Sequence, residues 1–151
     1  MVVYNKIQNN SVFSSKIAII DDSSLGRSVS KKHLNDSGFQ NVQDFSGPLD
    51  FLENLKEGNR VDIVITDLYM PDFDGFKLIK KLKSNELYKE IPILVQTTTT
   101  EQNEVNHAFK LGASELLKKP LDKEEFIFRT TLHLENYLYK KRIIQIISKL
   151  F

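Results

Sequence analysis

The stretch Lys16-Ile-Ala-Ile-Ile-Asp-Asp22 decides the fold. Its isoleucine-rich run reads as a strand buried on both faces, and the two acids that follow end the strand at a polar rim. The pattern returns at Val61-Asp-Ile-Val-Ile-Thr-Asp67. Outward from these, residues 16–20, 41–45, 61–66, 91–96 and 114–118 read as strands. Leu25 to Ser37, Gly47 to Glu57, Phe76 to Leu87 and Glu101 to Leu111 read as helices. Gly38, Gly58 and Gly112 stand just past helix ends, Pro71 and Gly75 break the chain after the third strand, and Pro92 opens the fourth. Strands alternating with helices predict an α/β fold, a doubly wound five-stranded parallel sheet with helices on both faces.

The chain's 151 residues, 40% of them hydrophobic, suit one domain with a substantial core. Twenty-one basic against 20 acidic residues leave a formal charge of +1, which provides no bulk pull toward nucleic acid or a membrane surface. Cysteine is absent, which excludes disulfides and thiolate metal sites. No apolar run approaches ~20 residues, and Met1 to Asn10 lacks the apolar core of a signal peptide, so the expectation is a cytoplasmic protein with no membrane span. Residues 1–15, rich in Asn and Ser, read as a lead-in from which Val12 and Phe13 can pack on the domain edge.

In an open parallel sheet the site lies beyond the carboxyl ends of the strands. If strand one is central and strand three its neighbour, as in the flavodoxin-like order 2-1-3-4-5, Asp21, Asp22 and Asp67 converge although they are distant in sequence. Gathered carboxylates need protons, a basic side chain or a hard cation to neutralise them. Mg²⁺ prefers oxygen ligands and keeps several waters, so Asp22 and Asp67, assisted by Asp21, form a sufficient set. A carboxylate also serves as a nucleophile toward phosphorus when charge on the phosphoryl oxygens is stabilised, and Lys119, after the fifth strand, supplies a cation for that. Thr97, at the end of the fourth strand, offers a hydroxyl to an attached phosphate. Asp72 and Asp74 read as residues that shape the loop to Gly75 and cap the next helix, and His33, His107 and His133 as surface or packing residues.

Asp21-Asp22, then Asp67-Leu-Tyr-Met-Pro71 with Asp74-Gly75, then Thr97, then Lys119-Pro120 resemble the receiver domain of two-component response regulators over roughly residues 16–130, within a domain read as 16–135. The resemblance implies that Asp67 accepts a phosphoryl group from a sensor histidine kinase or phosphotransfer protein. It also implies that Asp21, Asp22, Asp67 and the Tyr69 backbone carbonyl hold Mg²⁺, that Thr97 and Lys119 bind the phosphate, and that the Lys119–Pro120 peptide is cis. Such a domain is not an enzyme beyond its own phosphorylation and slow dephosphorylation. Two positions depart from the family: Leu116 stands where an aromatic residue commonly swings inward, and the β-branched Thr98 stands where a small residue is usual. Tyr69 and Thr99 match variable positions that tune hydrolysis, and an aromatic ring at Tyr69 predicts slow loss of phosphate.

Two rivals come from other classes. An aspartate-nucleophile phosphatase should carry a second acid two residues after the first, where this chain has Tyr69, and a flavin-binding module would place a phosphate loop where Asp21-Asp22 repels phosphate. A phosphate-independent receiver-like scaffold is the remaining alternative. The apolar pattern continues beyond the receiver, with Tyr139, Ile143, Ile146 and Leu150 in one seam and Tyr137, Ile144, Ile147 and Phe151 in another. Residues 136–151 therefore read as an extended C-terminal helix that makes a coiled-coil homodimer or links to an output domain. Folding back on the domain, against residues 1–15, and, given Lys140, Lys141, Arg142 and Lys149, an acidic partner or lipid surface are the other readings.

Overall fold

Five strands alternate with five helices in a computed structural model that describes residues 12–151. The order is β1 (Lys16–Ile20), α1 (Ser24–Asp36), β2 (Asn41–Phe45), α2 (Pro48–Lys56), β3 (Ile63–Asp67), α3 (Gly75–Lys83), β4 (Ile93–Thr97), α4 (Gln102–Leu111), β5 (Glu115–Lys118) and α5 (Lys123–Leu150). Every paired strand is parallel and the sheet runs β2-β1-β3-β4-β5, the expected order.

Side-chain alternation builds the layers. Ala18 and Ile20 of β1, Val64 of β3 and Val95 of β4 point to one face, where Phe51 and Leu55 of α2, Leu78, Ile79 and Leu82 of α3 and Ala108 of α4 cover them. Ile17, Ile19, Ile63, Ile65, Leu94 and Leu117 point to the other face, beneath Leu34 of α1 and Phe126 and Leu134 of α5. Both faces are dry, which is why the strands read as unbroken apolar runs.

Register then sets the site. Ile20 lies opposite Phe45 and Thr66, Asp67 opposite Gln96, and Thr97 opposite Lys118. The carboxyl ends of the strands are therefore level, and residues one step further along share a single rim.

Several boundaries differ from expectation. Strands three and four start two residues later than the apolar pattern implied. Asp62 instead ties the strand entrance: its N–H donates to the Lys16 carbonyl at 2.8 Å and its carboxylate accepts from Lys16 N–H at 2.8 Å. Pro92 has no N–H, but its carbonyl accepts from Val64 at 3.0 Å. Helix α3 ends at Lys83, not Leu87, because the Asn85 side chain takes the Leu87 N–H at 2.8 Å and competes with helical bonding. The Lys83 ammonium closes that turn on the carbonyls of Lys89 and Ile91, and burial pushes its pKa down.

Helix α5 is continuous over 28 residues, capped by Asp122, whose carboxylate accepts from Glu125 N–H at 2.8 Å. Its inner stripe of Phe126, Thr130 and Leu134 is fully buried. Tyr137 and Leu138 extend the contact with the domain, and Lys141 lies over the Tyr137 ring at 5.3 Å. Of the expected lead-in, residues 1–11 lie outside the described residues; Val12 is buried and Phe13 packs edge-on against Phe39 at 5.2 Å. No helix among the described residues is long and apolar enough to cross a membrane.

Phe126 is fully buried between α5 and the sheet, against Leu34 and Leu117 in the same core, so Phe126→Ala should destabilise the domain by about 3–5 kcal/mol. Urea unfolding followed by circular dichroism measures this as a lowered midpoint with an unchanged slope.

Candidate functional site

Asp21, one residue past β1, is almost completely buried, at 1% exposure. Its N–H donates to the Phe45 carbonyl at 3.1 Å, and its carbonyl accepts from the Arg27 guanidinium at 2.7 Å. One carboxylate oxygen, Oδ1, accepts from Ser23 N–H at 2.9 Å, and Oδ2 accepts from the Lys119 ammonium at 2.8 Å. Asp67 ends β3 rather than following it. Its Oδ1 accepts from Leu68 N–H at 2.6 Å and from Tyr69 N–H at 3.3 Å, while Oδ2 accepts from the same Lys119 ammonium at 2.9 Å. One cation thus bridges two carboxylates from different strands.

Lys119 is placed by the fifth strand: its N–H donates to the Thr97 carbonyl at 3.0 Å, and the peptide to Pro120 is cis, as the resemblance implied. Burial is the largest single influence on its ammonium and opposes the charge. The hydrogen bonds and charges of Asp21 and Asp67 together outweigh it and hold the pKa above the usual lysine range. Asp22 is exposed, yet carboxylate oxygens of Asp21, Asp22 and Asp67 all lie within 4.8 Å of one another. Three hard oxygen donors at that spacing fit a small divalent cation such as Mg²⁺. Thr97 ends β4, is buried, and its hydroxyl oxygen accepts from Thr99 N–H at 3.1 Å.

Two glycines make this packing feasible. A Cβ on Gly26 would sit 2.5 Å from Asp21 Oδ2, and one on Gly75 would sit 2.2 Å from the Asp67 carbonyl oxygen. Gly75 also donates its N–H to the Leu68 carbonyl at 2.8 Å, which folds the loop after β3 back over Asp67. Sequence punctuation marked Gly75 as a breaker but gave no sign of Gly26, whose constraint is a contact with a residue on another element. Asp74 caps α3 as expected, accepting from Lys77 N–H at 2.9 Å, and Asp72 takes φ 66° in the preceding turn.

Sequence reasoning missed a cluster on the rim. The Thr99 hydroxyl donates to the Glu104 carboxylate, which also accepts from the Tyr69 hydroxyl. These bonds, the Thr99 bond foremost, hold the Glu104 pKa below its ordinary range, while the bond to Glu104 pushes the Tyr69 phenol up. The Tyr69 ring meets Phe76 at 6.4 Å and Phe76 meets His107 at 5.1 Å. The only sequence signal was an acid in the first turn of α4. His133 lies 3.1 Å from Glu115 on β5, and His33 packs on Phe126. Leu116 is half-buried on the α2/α3/α4 side of the sheet, and Thr98 is exposed.

A sequence model of the response regulator receiver domain matches residues 17–131. The chemotaxis protein CheY1 of Helicobacter pylori is 34% identical over 105 residues, which cover 70% of this chain and 85% of that protein. The chemotaxis protein CheY-3 of Vibrio cholerae is 35% identical over 105 residues, covering 70% of this chain and 80% of that one. Among solved structures, the chemotaxis response regulator CheY4 of Vibrio cholerae superposes with a TM-score of 0.71 at 28% identity, covering 80% of this chain and 98% of that chain.

Two outcomes follow from the geometry. Without divalent cations, Lys119→Met leaves Asp21 and Asp67 facing each other and should cost ~2 kcal/mol at pH 8 in urea unfolding. Because the folded Lys119 pKa is raised, its contribution is whole below the unfolded value of about 10.4 and fades as pH rises through the folded value. The gap between wild type and variant should therefore shrink in alkaline buffer. Gly75→Ala should destabilise by about 1–3 kcal/mol in the same assay, although alanine is the better helix former, because its Cβ meets backbone.

Proposed function

The chain belongs to the response regulator receiver domain family, and on that premise we propose that Asp67 accepts a phosphoryl group from a phosphohistidine on a sensor histidine kinase or phosphotransfer protein. Members of this family are signalling modules rather than classical enzymes. The observation that carries the proposal is the Lys119 ammonium held between Asp21 and Asp67, a fixed positive charge beside a carboxylate that backbone N–H groups orient. An Asp67 carboxylate oxygen forms the new bond to phosphorus as the phosphorus–nitrogen bond of the phosphohistidine breaks, and the departing imidazole keeps the electron pair and takes a proton from solvent. Lys119 neutralises charge on the phosphoryl oxygens.

Asp21, Asp22 and Asp67, with the Tyr69 backbone carbonyl, would hold Mg²⁺. Bound there, Mg²⁺ supplies further neutralisation of the phosphoryl oxygens. The Thr97 hydroxyl, now accepting from Thr99, donates its own proton to an attached phosphoryl oxygen. That move changes the loop from Thr97 to Glu101 and the start of α4, and with Leu116 in place of an aromatic residue the loop is the route by which the message leaves. The Tyr69 ring, steadied by Phe76 and Glu104, shields the acyl phosphate and favours slow hydrolysis. The signal is passed on by partner contact or by dimerisation.

Incubation with a small phosphodonor and Mg²⁺, followed by intact mass, should show a gain of one phosphoryl group that is lost in Asp67→Asn. No gain from any donor while Mg²⁺ is demonstrably bound would sink the proposal and leave the phosphate-independent scaffold.

A further inference from the structure

Helix α5 carries two stripes on opposite sides. The inner one, Phe126, Thr130 and Leu134 followed by Tyr137 and Leu138, is spent on the domain. At 100° per residue a second stripe of Leu132, Asn136, Tyr139, Ile143, Ile146 and Leu150 lies about 180° from it. Its spacing is four-three-four-three-four, the a/d repeat of a coiled coil, with Asn136, Ile143 and Leu150 at a and Leu132, Tyr139 and Ile146 at d. Its apolar members are between 38% and 73% exposed. The preceding a position is Arg129, engaged by Glu115 of its own domain at 3.4 Å, so the seam begins at Leu132. From Leu132 to Leu150 it spans about 28 Å of helix.

From this register we infer that the covering partner is a second copy of the chain, joined through a parallel two-stranded coiled coil over residues 132–150. In that arrangement each g position faces the e position five residues later on the partner helix. Glu135 is at g and Lys140 at e, so two Glu135–Lys140 pairs form across the dimer. Neither residue has an ion-pair partner within its own chain among the described residues. The next g residue, Arg142, meets Ile147, so no like-charge pair is created. The Asn136 side chains meet in one layer, the device that fixes register and a two-stranded state. A lipid surface fits less well: in projection Lys140 falls between Ile144 and Ile147, inside the arc such a helix would bury. The inference does not rest on the Asp67 reading.

The full chain contains no cysteine, so single thiols report geometry directly. On oxidation, Asn136→Cys should give a covalent dimer in high yield, while Ser148→Cys, on the outer f position, should not. Light scattering on a sizing column should find the unmodified protein dimeric and Ile143→Lys/Ile146→Lys monomeric with unchanged circular dichroism per residue. Glu135→Lys should weaken the dimer and Glu135→Lys/Lys140→Glu restore it. A protein that stays monomeric at high concentration overturns the inference, as does a dimer indifferent to Ile143→Lys/Ile146→Lys, equal cross-linking at both thiols, or binding of the monomer to anionic phosphatidylserine vesicles through this helix.

Discussion

The structure turns on one ammonium group held by two carboxylates. Lys119 reaches Asp21 at 2.8 Å and Asp67 at 2.9 Å, and it does so from the far side of the sheet, across β4. Without it, the register that brings the strand ends level would bring uncompensated negative charge together, Asp21 with almost no access to water. Neighbouring features serve that arrangement: glycine at 26 and 75 gives the carboxylates room, Ser23 and Leu68 orient them through backbone N–H groups, and the dry strands behind them keep the register. The bridge is thus a structural requirement, and under the proposed phosphoryl transfer a cation already placed beside Asp67 needs little reorganisation.

Much of this was legible before any coordinates. The strands and helices followed from alternating apolar runs, because a sheet buried on both faces writes itself as near-continuous Ile and Val, while the strand order came with the doubly wound, flavodoxin-like fold taken for them. Asp21, Asp22, Asp67 and Lys119 were legible because polar residues immediately after such runs must lie on the carboxyl rim. What pattern could not supply was contact between elements. Gly26 sits against Asp21 because a helix start approaches a strand end, and Glu104 takes the hydroxyls of Thr99 and Tyr69 because α4 approaches the loop after β3. Neither proximity has a periodic signature. The strand starts slipped for a related reason: Val61 and Ile91 look like strand residues, but the ladder begins only after Asp62 and Pro92 have made their own bonds to it.

The rim beyond the bridge divides into two territories with different chemistry. Around Asp21, the carbonyl is held by Arg27, which with Lys31 also engages the exposed Asp44 at about 3 Å, so the side toward β2 carries a small ion-pair cluster. Around Thr97, the bonds are single hydroxyl contacts to Thr99 and from Thr99 to Glu104. A few such bonds at a partly exposed loop are easier to exchange than the Lys119–Asp21 pair, whose carboxylate is buried. Under the proposed phosphorylation, change at this rim falls on the β4–α4 side.

Helix α5 is joined to the bridge by a short chain of contacts. Lys119 follows directly on β5, a strand of four residues at the edge of the sheet. Leu117 shares the core beneath Phe126, and Glu115 takes Arg129 at 3.4 Å and His133 at 3.1 Å. The helix is thereby seated on the strand that carries the ammonium, by apolar packing at one point and by charge at another. Because the helix is continuous to Leu150, its orientation at Arg129 dictates that of the exposed seam beyond it. A seam whose direction is set by β5 presents the same face whenever Lys119 is in place, which is the condition a coiled coil needs if its register is to be read by a partner helix.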